Sequence, residues 1–414
     1  MRILLTDGSG LSSRQVAGRL GAAGHTVGVL SPDPRGLARF TRSVRAVHPV
    51  PAYGLDPFAW FDAACEAMVS GGYDLLFPTQ EQVAVLALMD HELEARGIAT
   101  AVPSFRAVAA VQDKVAARAT LERLGLPQPN SEVLHTAAEL VAIDVLPVFV
   151  KVPIGTATTG VHRVTDRPAL EALADQLDRA GVFADGGVVA QNPVLGPLAM
   201  VQTVFDDGRL VAAHANLRVR EGARGGASHK CSVELPEVIA ALELLGRDLQ
   251  WRGALSADAI VGPDGPVLID INPRLVEPVN AWRSGVDLVG AMLEVAAGRS
   301  SERQPERQPP GRAGVHTHQL LLAVLGAAQD GRGRRGVIRE LTDACRHRGT
   351  YAASTEELTP VRGDWRAAVP VAAAVAATMV KPSLWQELAS GSVANYALTP
   401  EAWIALRARH AERT

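Results

Sequence analysis

Short apolar runs alternate with amphipathic stretches from the first residues onward. Ile3 to Thr6 reads as a buried strand, Asp7-Gly8-Ser9-Gly10 as a turn, Ser13 to Ala23 as an amphipathic helix and Thr26 to Leu30 as a second strand. Tyr73 to Phe77 has the pattern of a further strand; it ends in Pro78-Thr79-Gln80-Glu81 and leads into a helix through Met89. This βαβ series predicts an open parallel sheet with ligand loops at the carboxyl ends of its strands. A helix over about Val111 to Leu124 stops at Gly125, with Pro127 and Pro129 beyond it, a stop suited to a domain junction.

From Pro147 to Asp270 the pattern changes to many short strands. Turns fall at Gly155 to Gly160, Gly186-Gly187, Asp206-Asp207-Gly208, Gly225-Gly226 and Pro263-Asp264-Gly265, and helices near Pro168 to Ala180 and Leu235 to Asp248. The texture is α+β. Residues 300–312, SSERQPERQPPGR, combine proline and charge with no apolar residue and read as a linker. The last hundred residues read as a separate, partly helical appendage, with helices at Gln319 to Ala328 and Ala367 to Val380.

Composition narrows the function classes. At 414 residues the chain exceeds what one core usually organises, so two or three domains are expected. Hydrophobic residues at 47%, charged residues at 21% and a net charge of -3 predict a soluble globular protein without a nucleic-acid footprint. Cys65, Cys231 and Cys345 are odd in number and far apart, which fits neither a disulfide framework nor a Cys-x-x-Cys metal site, and a reducing cytoplasm is expected. The longest apolar stretch, Ala367 to Val380, carries Pro370 and falls short of the roughly 20 residues of a membrane span.

Three clusters carry candidate chemistry. Leu255 to Val261 and Val267 to Ile271 flank the Pro263-Asp264-Gly265 turn, so a hairpin sets Asp258 beside Asp270. Asn272 lies two residues beyond Asp270 and shares its face, giving three oxygen-bearing groups of the kind magnesium takes. Taken alone, the same residues fit a solvated hairpin. Lys151 ends an apolar strand, where burial calls for an anionic partner such as phosphate; an exposed edge lysine is the alternative. The loop that follows, Gly155-Thr156-Ala157-Thr158-Thr159-Gly160, could close its backbone amides over phosphate oxygens. Arg218, Arg220, Arg224 and Lys230 form a basic, glycine-containing stretch suited to a phosphoryl group or simply to solvent. His316, His318 and His347 lack metal spacing and read as structural or surface residues.

In this order the residues resemble the ATP-grasp superfamily over roughly the first three hundred positions. Lys114, in Gln112-Asp113-Lys114, resembles the first phosphate lysine, Lys151 the strand-borne one, and Gly155 to Gly160 the loop over the triphosphate. Val189 to Gly196 resembles the adenine hinge, with Gln191, Asn192 and Val194 at the base; Gln191, Asn192 and Leu198 stand where family members usually place glutamates. Asp258, Asp270 and Asn272 match the metal set, and Arg274 the arginine that contacts phosphate or acyl phosphate. The Pro78 to Glu81 loop and the Asp270 to Arg274 signature look most like the carbamoyl-phosphate-synthase-like branch.

The resemblance implies a parallel α/β domain over 1–110, a two-lobed ATP-grasp domain over 111–300 with its lid at about 125–195, a linker at 301–313, and a C-terminal domain of unknown role over 314–414. It implies a ligase using ATP and Mg2+ that joins a small-molecule carboxylate to an amine through an acyl phosphate, with Arg274, Arg218 and Lys230 as catalytic cations and a homodimer as one expected assembly. A bicarbonate-activating enzyme and a non-catalytic nucleotide-binding protein are the alternatives. Substrate specificity is expected from Ser9, Ser12, Glu81 and the Arg218 to Lys230 loop.

Overall fold

Strands β1 (Arg2–Leu5), β2 (Thr26–Ser31), β3 (Val44–Pro49) and β4 (Leu75–Phe77) pair in parallel in the order β3-β2-β1-β4. Ile3, Leu4 and Leu5 are wholly buried, as a strand covered on both faces requires. This is a computed structural model, which describes residues 1–156, 159–184, 186–298, 305–358 and 364–413. The loops after β1 and β4 meet: the hydroxyl of Ser13 donates to Asp7 (2.9 Å) and to Thr79 (3.0 Å).

A second, antiparallel sheet has the order β5-β8-β6-β7, from β5 (Ser131–Leu134), β6 (Val148–Lys151), β7 (Val161–Val164) and β8 (Val188–Gln191). The helix Arg167–Arg179 backs it with Leu170, Leu173, Ala174 and Leu177. Asp166 starts that helix by accepting from the Ala169 N–H, and Pro168 sits in its first turn, where no N–H is needed.

The third sheet orders seven strands as β13-β12-β9-β10-β11-β14-β15: β9 (Leu198–Asp206), β10 (Arg209–Glu221), β11 (Ala227–Val233), β12 (Gly253–Gly262), β13 (Gly265–Asn272), β14 (His316–His318) and β15 (Ser354–Glu356). All neighbours are antiparallel except β14 and β15, which run parallel.

Two sequence expectations change here. The helix read over 111–124 is two helices, Phe105–Gln112 and Lys114–Arg123, because Asp113 takes an extended conformation and caps the second with its carboxylate on the N–H groups of Val115 and Ala116. The last hundred residues are not a separate appendage. β14 and β15 extend the third sheet, and Trp403 and Leu406 of the helix Pro400–Ala411 are buried in the same core as Trp60, Val85 and Phe105. Along the stretch read as a linker, residues 300–304 lie outside the described residues. Gln308 is anchored, its N–H on the Val211 carbonyl (2.7 Å) and its side chain bracketing Asp287. Among the described residues no helix is long and apolar enough to cross a membrane.

Candidate functional site

A cleft opens between the second and third sheets, with the helix Lys114–Arg123 at its back. Its walls include Ala117, Leu121, Val189, Leu268 and Ile271, and its polar lining includes Lys114, Lys151, Gln191 and Asp270. The hairpin read from the sequence forms, and Asp258 pairs directly with Asp270 and Ser256 with Asn272. Directly beyond Asp258 the ladder slips: Ala259 pairs with Leu268, leaving Ile269 without an opposite residue. The Ile269 carbonyl takes the ammonium of Lys151 instead, at 2.6 Å.

The electrostatics follow from that crowding. Burial, and then the Asp270 carboxylate facing it, push the Asp258 carboxyl up to about 7; Arg274, Lys151 and Arg218 pull it back down. Burial lowers the Lys151 ammonium from its ordinary value and nearby Lys114 lowers it further, while Asp270 and Asp258 oppose them. Among the described residues no three His, Cys, Asp or Glu side chains gather to hold a metal ion. Asp258, Asp270 and Asn272 offer side-chain oxygens, a divalent cation there would relieve the repulsion between the two aspartates, and magnesium commonly takes only one or two carboxylates beside phosphates and water.

Lys114 reaches over the loop that follows β6 and donates to the Gly155 carbonyl (3.2 Å). That loop turns on itself: the Thr156 N–H donates to the Thr159 hydroxyl (3.0 Å), which donates to the Thr156 carbonyl (2.6 Å). A Cβ at Gly155 would stand 2.0 Å from the Thr159 carbonyl, and Gly160 holds a φ of +78°, so both glycines are required by the turn. Thr158 and its neighbour Ala157 lie outside the described residues. Gln191 ends β8 inside the cleft, and Asn192 is exposed with its N–H on the Asn130 carbonyl (2.9 Å). Val194 is half-buried just beyond.

Arg274 follows β13 and donates to Glu81 (3.1 Å) and to the Asn272 side chain (3.5 Å). Burial alone would lower the guanidinium, but Glu81, Tyr396 and Asp258 outweigh it and raise it. Gln112 donates to the other Glu81 oxygen (3.1 Å), so Glu81 ties the β4 loop to the strand.

The basic stretch splits. Arg218 donates to the Gly225 carbonyl (2.6 Å), pairs with Glu221 (3.2 Å) and is among the charges acting on Asp258. Arg220 turns to Glu340 of the C-terminal segment. Lys230 is not on a flexible loop as the sequence suggested: it lies in β11, 2% exposed, between Glu277 and Glu357. Glu357 accepts also from Gln15 (2.9 Å), Thr317 (2.6 Å) and Gln319 (2.7 Å). Glu277, Glu357 and Tyr396 went unremarked in the sequence. Glu277 stands three residues past Arg274, which was a usable signal, whereas Glu357 and Tyr396 reach the site only through tertiary packing.

No family model matches the chain. A biotin carboxylase from Pseudomonas aeruginosa is 24% identical over 294 residues, 66% of this chain and 65% of that protein. A D-alanine–D-alanine ligase from Mycobacterium sp. (strain KMS) is 28% identical over 251 residues, 50% of this chain and 65% of that one. The match thus spans just under two thirds of these curated relatives' length. Among solved structures, the ADP complex of N5-carboxyaminoimidazole ribonucleotide synthetase has a TM-score of 0.59 at 14% identity, covering 83% of this chain and 85% of its own. An L-amino acid ligase from Bacillus licheniformis has 0.55 at 19%, covering 74% and 77%. The fold of this chain is that of the ATP-grasp superfamily.

Proposed function

We propose that this chain is an ATP- and magnesium-dependent ligase that joins a carboxylate to an amine, acting on an amino acid or small metabolite. One observation carries the reading: Lys114, Lys151 and Asp270 line one cleft, Asp258 pairs directly with Asp270, and Arg274 and Lys151 are among the charges acting on Asp258. Two lysines that, among the described residues, donate to carbonyls and to no carboxylate, beside a repelling aspartate pair, suit a metal-bound triphosphate. The amide-forming names of the D-alanine–D-alanine and L-amino acid ligases support it.

When bound, magnesium would neutralise phosphate charge, held by Asp258, Asp270 and Asn272 with water and phosphate oxygens filling the remaining positions. Lys114 and Lys151 hold the phosphates. The substrate carboxylate oxygen bonds to the γ-phosphorus as the bond to the β-bridging oxygen breaks, giving an acyl phosphate and ADP. Arg274, fixed by Glu81, meets the charge of that acyl phosphate, with Arg218 nearby. The amine then attacks the acyl carbon, phosphate leaves and the amine proton passes to solvent. Positioning and charge neutralisation dominate such a reaction, so no general base is assigned. Lys230, buried between two carboxylates, acts by holding Glu277 and Glu357 in place.

A bicarbonate-activating reaction is the second reading, favoured by the longer match to biotin carboxylase. Measuring ADP release separates the two. Release that needs both an organic acid and an amine supports the ligase, and release with bicarbonate alone supports the alternative.

A further inference from the structure

Gln191 is only 8% exposed, yet its side-chain amide makes no hydrogen bond to the protein among the described residues, and neither amide atom is sealed inside. With no protein partner and its atoms reaching the cleft, the amide is left to pair with whatever occupies the cleft, water or a ligand. Pairing of β6 with β8 sets Gln191 opposite Phe149 and Val189 opposite Lys151. Lys151, Val189 and Gln191 therefore lie on one face of the sheet, with Gln191 about 7 Å along the strand from the lysine's level. The cleft between them carries the apolar side chains of Val189, Leu268, Leu121 and Ala117, with Arg118, Gln128 and Ser131 also in its lining. Such a lining suits a nucleotide with its phosphates at Lys151 and its flat base against the apolar side chains, leaving the Gln191 amide to read the base edge.

What the amide can read follows from its chemistry. A carboxylate at this position would only accept, whereas a carboxamide holds a donor and an acceptor on one plane and can turn over. The C6 substituent of adenine donates and that of guanine accepts. The N–H of Asn192 is already given to the Asn130 carbonyl, so it adds no preference of its own. Resting on the nucleotide reading above, we infer that Gln191 meets position 6 of the purine with either amide atom, so that the pocket takes guanine as well as adenine nucleotides.

Titration calorimetry of the full chain with MgADP and with MgGDP tests this, using the native protein, Gln191→Glu and Gln191→Leu. The native chain binds the two within about tenfold of each other. Gln191→Glu keeps ADP and weakens GDP by a further factor of about ten or more, because an acceptor then faces an acceptor. Gln191→Leu weakens both. Native binding of ADP with GDP more than about a hundredfold weaker, an unchanged ratio in Gln191→Glu, or unaltered affinities in Gln191→Leu overturns the inference while leaving the nucleotide reading intact. Failure of the native chain to bind ADP at all overturns both.

Discussion

The ammonium of Lys151 donates to the carbonyl of Ile269, the one residue that β13 carries in excess where its ladder with β12 slips beyond Asp258. A bulge left unpaired by one strand is thus filled from another sheet, and the lysine is held beside the Asp258 and Asp270 carboxylates. Lys151→Ala removes a charged donor to phosphate. Nucleotide affinity should fall about 10- to 150-fold, the range for a hydrogen bond to a charged group. Titration with MgADP checks it, and unchanged affinity would return Lys151 to a structural role.

Asp258→Asn combined with Asp270→Asn should cut magnesium-dependent turnover by about a thousandfold or more, since the metal loses both its anionic donors. The same change removes the repulsion that pushes Asp258 up to about 7, so the melting temperature without magnesium should hold or rise. Circular dichroism melts alongside ADP release separate lost metal binding from lost fold.

Glu81→Gln leaves Arg274 without its carboxylate while keeping the size of the side chain. Turnover should drop by about a hundredfold through a misplaced guanidinium, with nucleotide affinity little changed. Equal losses in affinity and turnover would place Arg274 on the nucleotide instead.

Glu357→Ala leaves the buried Lys230 with Glu277 alone and strips Gln15, Thr317 and Gln319 of their shared acceptor. Removing one partner of a buried ion pair costs about 3–5 kcal/mol. Urea unfolding should report that loss for the whole chain, because Glu357 joins the first helix, the third sheet and the C-terminal segment. A change confined to a late, separate transition would contradict the integrated packing.

Three buried histidines set the acid limit. Burial lowers His214, His229 and His318 from 6.5 to about 4. Their unfolded forms bind protons first as pH falls, so their neutral burial is fully compatible with the fold above about pH 6.5 and increasingly costly from there down to about 4. Melting temperatures measured from pH 7 to pH 4 should decline steadily across that window. A flat profile would show that these side chains protonate without strain.

How far the sequence carried depends on the distance over which each feature is specified. The hairpin of Asp258 and Asp270 was legible because turn and strands lie within twenty residues, and Lys151 because a charge ends an apolar run. The break at Asp113 was missed because its capping role depends on backbone conformation, although Asp-Lys at a helix start was on view. Lys230 was read as part of a basic loop because glycines precede it. Its burial is decided by Glu277 and Glu357, which local pattern does not connect to it. The C-terminal segment looked separate because its strands, His316–His318 and Ser354–Glu356, are three residues each, too short to show a period.

Hydroxylamine trapping tests the central claim most directly. The full chain is incubated with MgATP, pooled carboxylic acids and hydroxylamine, and ADP and acyl hydroxamates are measured together. An activated carboxylate predicts ADP release matched by one hydroxamate, both absent in the Asp258→Asn, Asp270→Asn variant. ADP release with no hydroxamate from any acid, or equal yield from that variant, would contradict it.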